Sequence, residues 1–161
     1  MSRFQLQSST SGLRLADTQS RQHPLQIDFV SGQFSYRLRK GGRKQELLAK
    51  AVGIKQGFSV LDCAAGLGRD SFLLASMGCE VTMLERSKVM AMLLEDALRR
   101  AENHDDLKVL VDRVRLVHAD AIGYLATLEC VPDVIMLDPM FPTRKKSAHV
   151  KGEMQVLQRF L

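Results

Sequence analysis

From residue 58 onward, short apolar runs alternate with segments whose apolar residues recur every three or four positions. Residues 58–62, 79–85, 114–118 and 133–138 are the short runs and predict β-strands. Between them, 69–77, 88–103 and 122–128 carry helical spacing. Gly78 stops the first helix, and Ser87 is placed to cap the second, whose apolar face is Val89, Met92, Leu93 and Leu98. Repeated strand–helix units of this length predict an α/β fold, a doubly wound parallel sheet with helices on both faces. Right-handed crossovers then put ligand sites at the carboxyl ends of the strands. Val134-Ile135-Met136-Leu137 is apolar on both sides, as in an interior parallel strand. Yet only 19 residues follow Pro142, and 152–161 reads as one amphipathic helix. With no further strand to cover that side, C-terminal strands are expected to be missing, unless an N-terminal strand lies there.

The first 24 residues are polar, with Leu13-Arg14-Leu15-Ala16 as a short strand. Residues 27–30 and 33–38 alternate around Ser31-Gly32 and predict a β-hairpin. Gly41-Gly42 breaks that unit, and 43–52 reads as a helix with Leu47, Leu48 and Ala51 on one face, stopped by Gly53. The expected organisation is an N-terminal extension with a hairpin over 1–42 and a Rossmann-like domain over 43–161. A chain of 161 residues with 45% hydrophobic positions can bury a core. No apolar run approaches the ~18–20 residues a membrane span needs, and no signal-peptide core is present. Cys63, Cys79 and Cys130 make no paired spacing, which suits a cytoplasmic protein with buried thiols.

The formal charge of +5 matters through its distribution. Arg37, Arg39, Lys40, Arg43 and Lys44 form one basic run, and Arg144, Lys145 and Lys146 form another. Both can hold nucleic-acid phosphates, although such runs also serve as solvated faces.

Asp62-Cys63-Ala64-Ala65-Gly66-Leu67-Gly68-Arg69-Asp70 joins a strand to a helix through a glycine turn. Gly66 and Gly68 allow close approach of a ligand to backbone N–H groups at a helix N-terminus. Asp62 can hold an ammonium, Glu85 both hydroxyls of a ribose, and Asp120 an adenine amine. Taken singly, the glycines can be only a turn and the acids only helix caps. A dinucleotide dehydrogenase shares this pattern, but here Ser71 takes the third glycine position and Asp62 would repel a pyrophosphate. Three acids at successive strand ends favour S-adenosylmethionine.

Asp138-Pro139-Met140-Phe141-Pro142 ends the last strand. Asp138 and the Pro139 carbonyl can accept the two hydrogens of an exocyclic amine, aiming its lone pair at a methyl donor. Proline stiffens that backbone and Phe141 can stack on a planar base. The plain alternative is a strand ending in a turn with a core phenylalanine. No Pro-Cys is present for C5 chemistry, and His23, His104, His118 and His149 lack ligand spacing, so no metal is expected.

Ala-Gly-Leu-Gly-Arg-Asp at 65–70, Met-Leu-Glu-Arg at 83–86 and Leu-Asp-Pro-Met-Phe-Pro at 137–142 resemble the ribosomal RNA small subunit methyltransferase J family. Lys145-Lys146-Ser147-Ala148, Asp28-Phe29-Val30 and 49–55 extend the likeness over about 27–161. The resemblance implies a fold of the class I S-adenosylmethionine-dependent methyltransferase type and N2-methylation of a guanosine in bacterial 16S ribosomal RNA. It implies cofactor contacts from Arg69, Asp70, Glu85, Arg86, Asp120, Ala121 and Asp138, and the small ribosomal subunit or its RNA as partner. Asp120 departs from the small hydroxyl residues that also occur there, and relatives are longer at both ends. Methylation of another amine (adenine N6 or a protein glutamine) and a non-catalytic RNA-binding module are the rival readings.

Overall fold

The computed structural model describes residues 3–40, 43–54, 56–138 and 152–160. The chain opens with an antiparallel hairpin, β1 (Phe4–Ser9) and β2 (Gly12–Asp17), closed where Ser9 pairs with Gly12 and donates its hydroxyl to the Gly12 carbonyl at 2.9 Å. The strand expected at Leu13–Ala16 is thus part of β2. The hairpin expected over 27–38 is not formed, because Gly32–Lys40 is a helix, α1. Phe34, Tyr36 and Leu38 fit a two-residue period equally well, but burial follows the four-residue one. Phe34 and Leu38 are buried while Tyr36 is 63% exposed.

Helix α2 (Arg43–Val52) leads to a four-stranded parallel sheet of β3 (Ser59–Asp62), β4 (Glu80–Glu85), β5 (Val114–His118) and β6 (Val134–Met136), in the order β5-β4-β3-β6. The expected crossover helices are present as α3 (Arg69–Ser76), α4 (Lys88–Glu102) and α6 (Ala121–Ala126). Ser87 caps α4, its hydroxyl accepting the Met90 N–H at 3.4 Å. Helix α5 (Asp105–Val111) went unforeseen because it buries only Leu107. Its short apolar pattern is too thin to mark a face, and Asp105 and Asp106 at its positive end help it form. Among the described residues β6 pairs only with β3, and Ile135 and Leu137 beside it are 51% and 67% exposed.

One core joins these parts. Val60, Val81 and Met83 point to the face covered by α3 and α4, where they meet Phe72, Leu74, Met90, Leu93 and Leu94. The N-terminal segment adds Leu15, Leu25, Ile27, Phe29, Phe34 and Leu38 to the same cluster. Phe29 stacks on Phe72 of α3 with centroids 4.3 Å apart and rings 2° from parallel. Helix α7 (Gly152–Phe160) buries Val156 and Leu157 and sets Phe160 edge-on to Phe4 of the hairpin at 5.4 Å.

Polar ties hold the hairpin to α4. Asp96, buried on α4, accepts the Leu13 N–H at 3.0 Å, Arg100 Nε at 2.9 Å and an Arg99 guanidinium N–H at 3.1 Å. Arg100 also donates to the Ile27 carbonyl. The approach is so close that a Cβ at Gly12 would lie 2.6 Å from the Asp96 carboxylate. Burial works against the charged form of Asp96, but the Leu13 N–H and the two guanidinium groups outweigh it and lower its pKa.

Asp96→Ala therefore leaves the Leu13 N–H and Arg100 short of their partner and should cost about 3 kcal/mol in urea unfolding at pH 7. Because the folded pKa is depressed, this contribution is complete above the unfolded value of roughly 4 and is lost as pH falls through the lower folded value. The gap between variant and wild type should close on acidification; a gap that persists unchanged at low pH contradicts an electrostatic tie.

Candidate active site

The carboxyl ends of β3, β4, β5 and β6 share one rim, and the glycine turn after β3 rises from its centre. Gly66 and Gly68 both have positive φ, +54° and +68°. Their surroundings differ. A Cβ at Gly68 would meet Leu94 Cδ2 at 2.8 Å and Phe29 Cζ at 3.2 Å, so this residue is packed against the core. Among the described residues a Cβ at Gly66 would meet the Ala64 carbonyl alone, at 3.8 Å, so none of them fills the outer side of the turn. Gly68 is also the N-cap of α3 and offers no side-chain cap, so the helix starts at Arg69 and Asp70 with its N-terminal N–H groups beside the turn.

Asp62 is 2% exposed and faces inward. Its carboxylate accepts the Ala64 N–H at 3.1 Å and the hydroxyl of Ser71, itself fully buried in the first turn of α3. These bonds pin the start of the turn to its end. Burial pushes the Asp62 carboxyl up, and the nearby carboxylates of Asp70 and Asp138 push it further, against the two hydrogen bonds. In the sequence Ser71 reads only as a departure from the third glycine; a hydroxyl nine residues after a strand-end acid is the signal of this bond.

Glu85 ends β4 and is 7% exposed. It accepts the Ser87 N–H at 2.7 Å and is also bonded by the Gly66 N–H, which ties the second strand end to the glycine turn. Burial raises its pKa against those bonds and against the charge of Arg86. Arg86, next in the chain, is exposed, and its carbonyl lies 3.2 Å from His118 Nε2. Asp120 is exposed and caps α6, accepting the Ile122 and Gly123 N–H groups at 3.0 and 3.4 Å. Ala121 is the first residue of α6.

Asp138 stands exposed two residues past β6. In the β3–β6 register Asp62 lies opposite Met136, whose carbonyl accepts the Cys63 N–H at 2.9 Å. Asp138 thus emerges beside the glycine turn, close enough for its charge to act on Asp62. Pro139, Phe141, Arg144, Lys145 and Lys146 lie outside the described residues. Arg37, Arg39 and Lys40 fall on α1, and Arg43 and Lys44 on the first turn of α2; both helices pack against α3. Among the described residues no group of three or more metal-ligating side chains occurs, and no helix is long and apolar enough to cross a membrane.

An open glycine turn, a helix N-terminus and a buried carboxylate on the next strand fit a cofactor with an amino-acid end and a ribose. Comparison with known proteins gives that cofactor. A family model described as putative SAM-dependent methyltransferase matches residues 1–161. The chain is 53% identical over 135 residues to a ribosomal RNA small subunit methyltransferase J from Shewanella loihica, covering 82% of this chain and 52% of that protein. A protein of the same name from Yersinia enterocolitica is 50% identical over 137 residues, covering 82% and 54%. A solved SAM-dependent methyltransferase from Neisseria gonorrhoeae superposes with a TM-score of 0.73 at 33% identity, over 84% of this chain and 56% of that one. The chain spans about half the length of the curated relatives it matches.

The raised pKa of Asp62 makes a prediction about stability. A charged, buried carboxylate costs folding free energy above its folded pKa, and the cost disappears as pH falls to the unfolded value near 4. Asp62→Asn keeps a carbonyl for Ala64 and an amide for the Ser71 hydroxyl, so its melting temperature should exceed that of wild type at pH 7. Scanning calorimetry against pH should show the advantage vanish below about pH 4. Equal or lower stability at neutral pH would mean that the carboxylate is held at no cost.

Proposed function

We propose, for a chain that belongs to the SAM-dependent methyltransferase family along its whole length, that it forms the donor-binding and catalytic rim of a ribosomal RNA methyltransferase. The acceptor is the exocyclic N2 of a guanosine in small-subunit RNA. The observation that carries this reading is the emergence of Asp138 from β6 on the same rim as the glycine turn, where β6 pairs with the strand that ends in Asp62. When bound, S-adenosylmethionine supplies an electrophilic methyl group on a sulfonium centre.

The residues of the chain do the positioning. The open side of Gly66 and the N–H groups that start α3 receive the amino-acid end of the cofactor, with Arg69 and Asp70 at the edge of that space. Glu85, held by the N–H groups of Ser87 and Gly66, keeps acceptor capacity for the ribose hydroxyls, with Arg86 beside it. Asp120 spends one oxygen on the α6 cap, so its part is to fix Ala121 and the loop around the adenine rather than to hold a proton there. Asp138, exposed, accepts one hydrogen of the target amine, and the Pro139 carbonyl accepts the other. The nitrogen lone pair is then directed outward, toward the donor, and positive charge forming on nitrogen is stabilised. Phe141 stacks on the base. Arg37, Arg39, Lys40, Arg43 and Lys44, on helices packed against α3, hold RNA phosphates together with Arg144, Lys145 and Lys146. The names of the relatives and the basic charge support an RNA acceptor over a free amine.

Asp138→Ala should abolish transfer of a tritiated methyl group to small subunits that lack the modification, while weakening cofactor binding less than Glu85→Ala does. Transfer near the wild-type rate in the Asp138 variant removes the catalytic role assigned to it.

A further inference from the structure

Helix α1 holds an aromatic ring for which packing gives no account. Its inner side is anchored: Phe34 is 6% exposed and Leu38 9%, and the Phe34 ring lies 5.8 Å from Phe29 and 6.4 Å from Phe72. Tyr36 is two residues from each anchor, and on a helix two residues is roughly half a turn. Its ring therefore leaves the core and stands 63% exposed.

The setting is specific. Within eight positions after Tyr36 the chain carries Arg37, Arg39, Lys40, Arg43 and Lys44. Helix α1 packs against α3, the helix that opens at the glycine turn. A flat amphipathic ring on a helix packed against α3, in a run of sequence rich in positive charge, matches the recognition of unpaired nucleotides. Cations hold the backbone while an aromatic face takes the base. A protein partner matched to this run would have to be strongly acidic, and nothing else in the site asks for one.

We propose that Tyr36 is a stacking platform for an unpaired base of the RNA substrate. The proposal rests on the RNA reading given above and adds to it a contact made by an aromatic face rather than by charge. Stacking is indifferent to base identity, so Tyr36 strengthens the grip on single-stranded RNA without selecting the target guanosine.

The test uses the full chain with two fluorescent probes, an unpaired RNA of mixed sequence and a fully paired duplex of equal length. Tyr36→Ala should bind the unpaired probe about tenfold more weakly and the duplex as wild type does. Tyr36→Phe should restore single-strand binding, and the dependence on salt should match wild type, since no phosphate contact is lost. Calorimetry with S-adenosylmethionine should show unchanged cofactor affinity in both variants. Unaltered single-strand binding by Tyr36→Ala, or equal losses on both probes, overturns the stacking role while leaving the methyltransferase reading intact. Failure of the wild-type chain to bind either probe overturns the RNA reading and this one with it.

Discussion

No side chain fits at Gly68. Its φ of +68° disfavours any L-residue, and the space a Cβ would need is taken by Leu94 of α4, Phe29 of the N-terminal segment and Met83 of β4. Three parts of the chain converge on one backbone atom. Their convergence presses the start of α3 against the sheet and leaves the turn before it standing at the rim. Gly66, two residues earlier, has among the described residues only the Ala64 carbonyl within 4 Å of a Cβ placed on it. The Phe29–Phe72 stack continues the same contact one turn into α3. The N-terminal segment is thereby part of what shapes the glycine turn, although it is far from it in sequence.

The buried acids Asp17, Asp62, Glu85 and Asp96 divide into two kinds by the partners they are buried with. Asp17 and Asp96 sit against guanidinium groups that lower their pKa, Arg3 and Arg159 for the first, Arg99 and Arg100 for the second. They fasten the hairpin and α7 to the rest and stabilise the fold at neutral pH. Asp62 and Glu85 are buried with backbone N–H groups and a hydroxyl rather than cations as their main partners, and both are pushed up. They work against stability where the fold works for it. Buried carboxylates of this second kind, with raised pKa and gathered at strand ends around a glycine turn, are what a ligand-binding rim uses.

Much of the sheet was legible in the sequence because its strands are short apolar runs with clear breakers. Val81 to Leu84 and Val114 to Val117 each fall between a charged residue and a strand-end acid or histidine, and Val60-Leu61 runs from Ser59 to Asp62. Helix α4 was legible from its cap and its apolar stripe. Around Tyr36 the pattern fitted two periods at once, and only packing against Phe29 and Phe72 chose between them. Of the site, the glycine turn and the strand-end acids could be read, but not the bonds that hold them in place. Asp120 was visible as an acid, and its use as a cap depends on where α6 begins. The inward turn of Asp62 depends on Ser71, and the tie between Glu85 and Gly66 crosses between strands; neither is a local pattern.

The chain belongs to the SAM-dependent methyltransferase family, and the proposal seats S-adenosylmethionine on the rim between Gly66 and Glu85. Titration of S-adenosylmethionine into the chain in a calorimeter, with NAD as the comparison ligand, addresses that claim directly. The account predicts saturable binding of the former at one site per chain and none of the latter. Absence of any heat with S-adenosylmethionine, or preference for NAD, would contradict it.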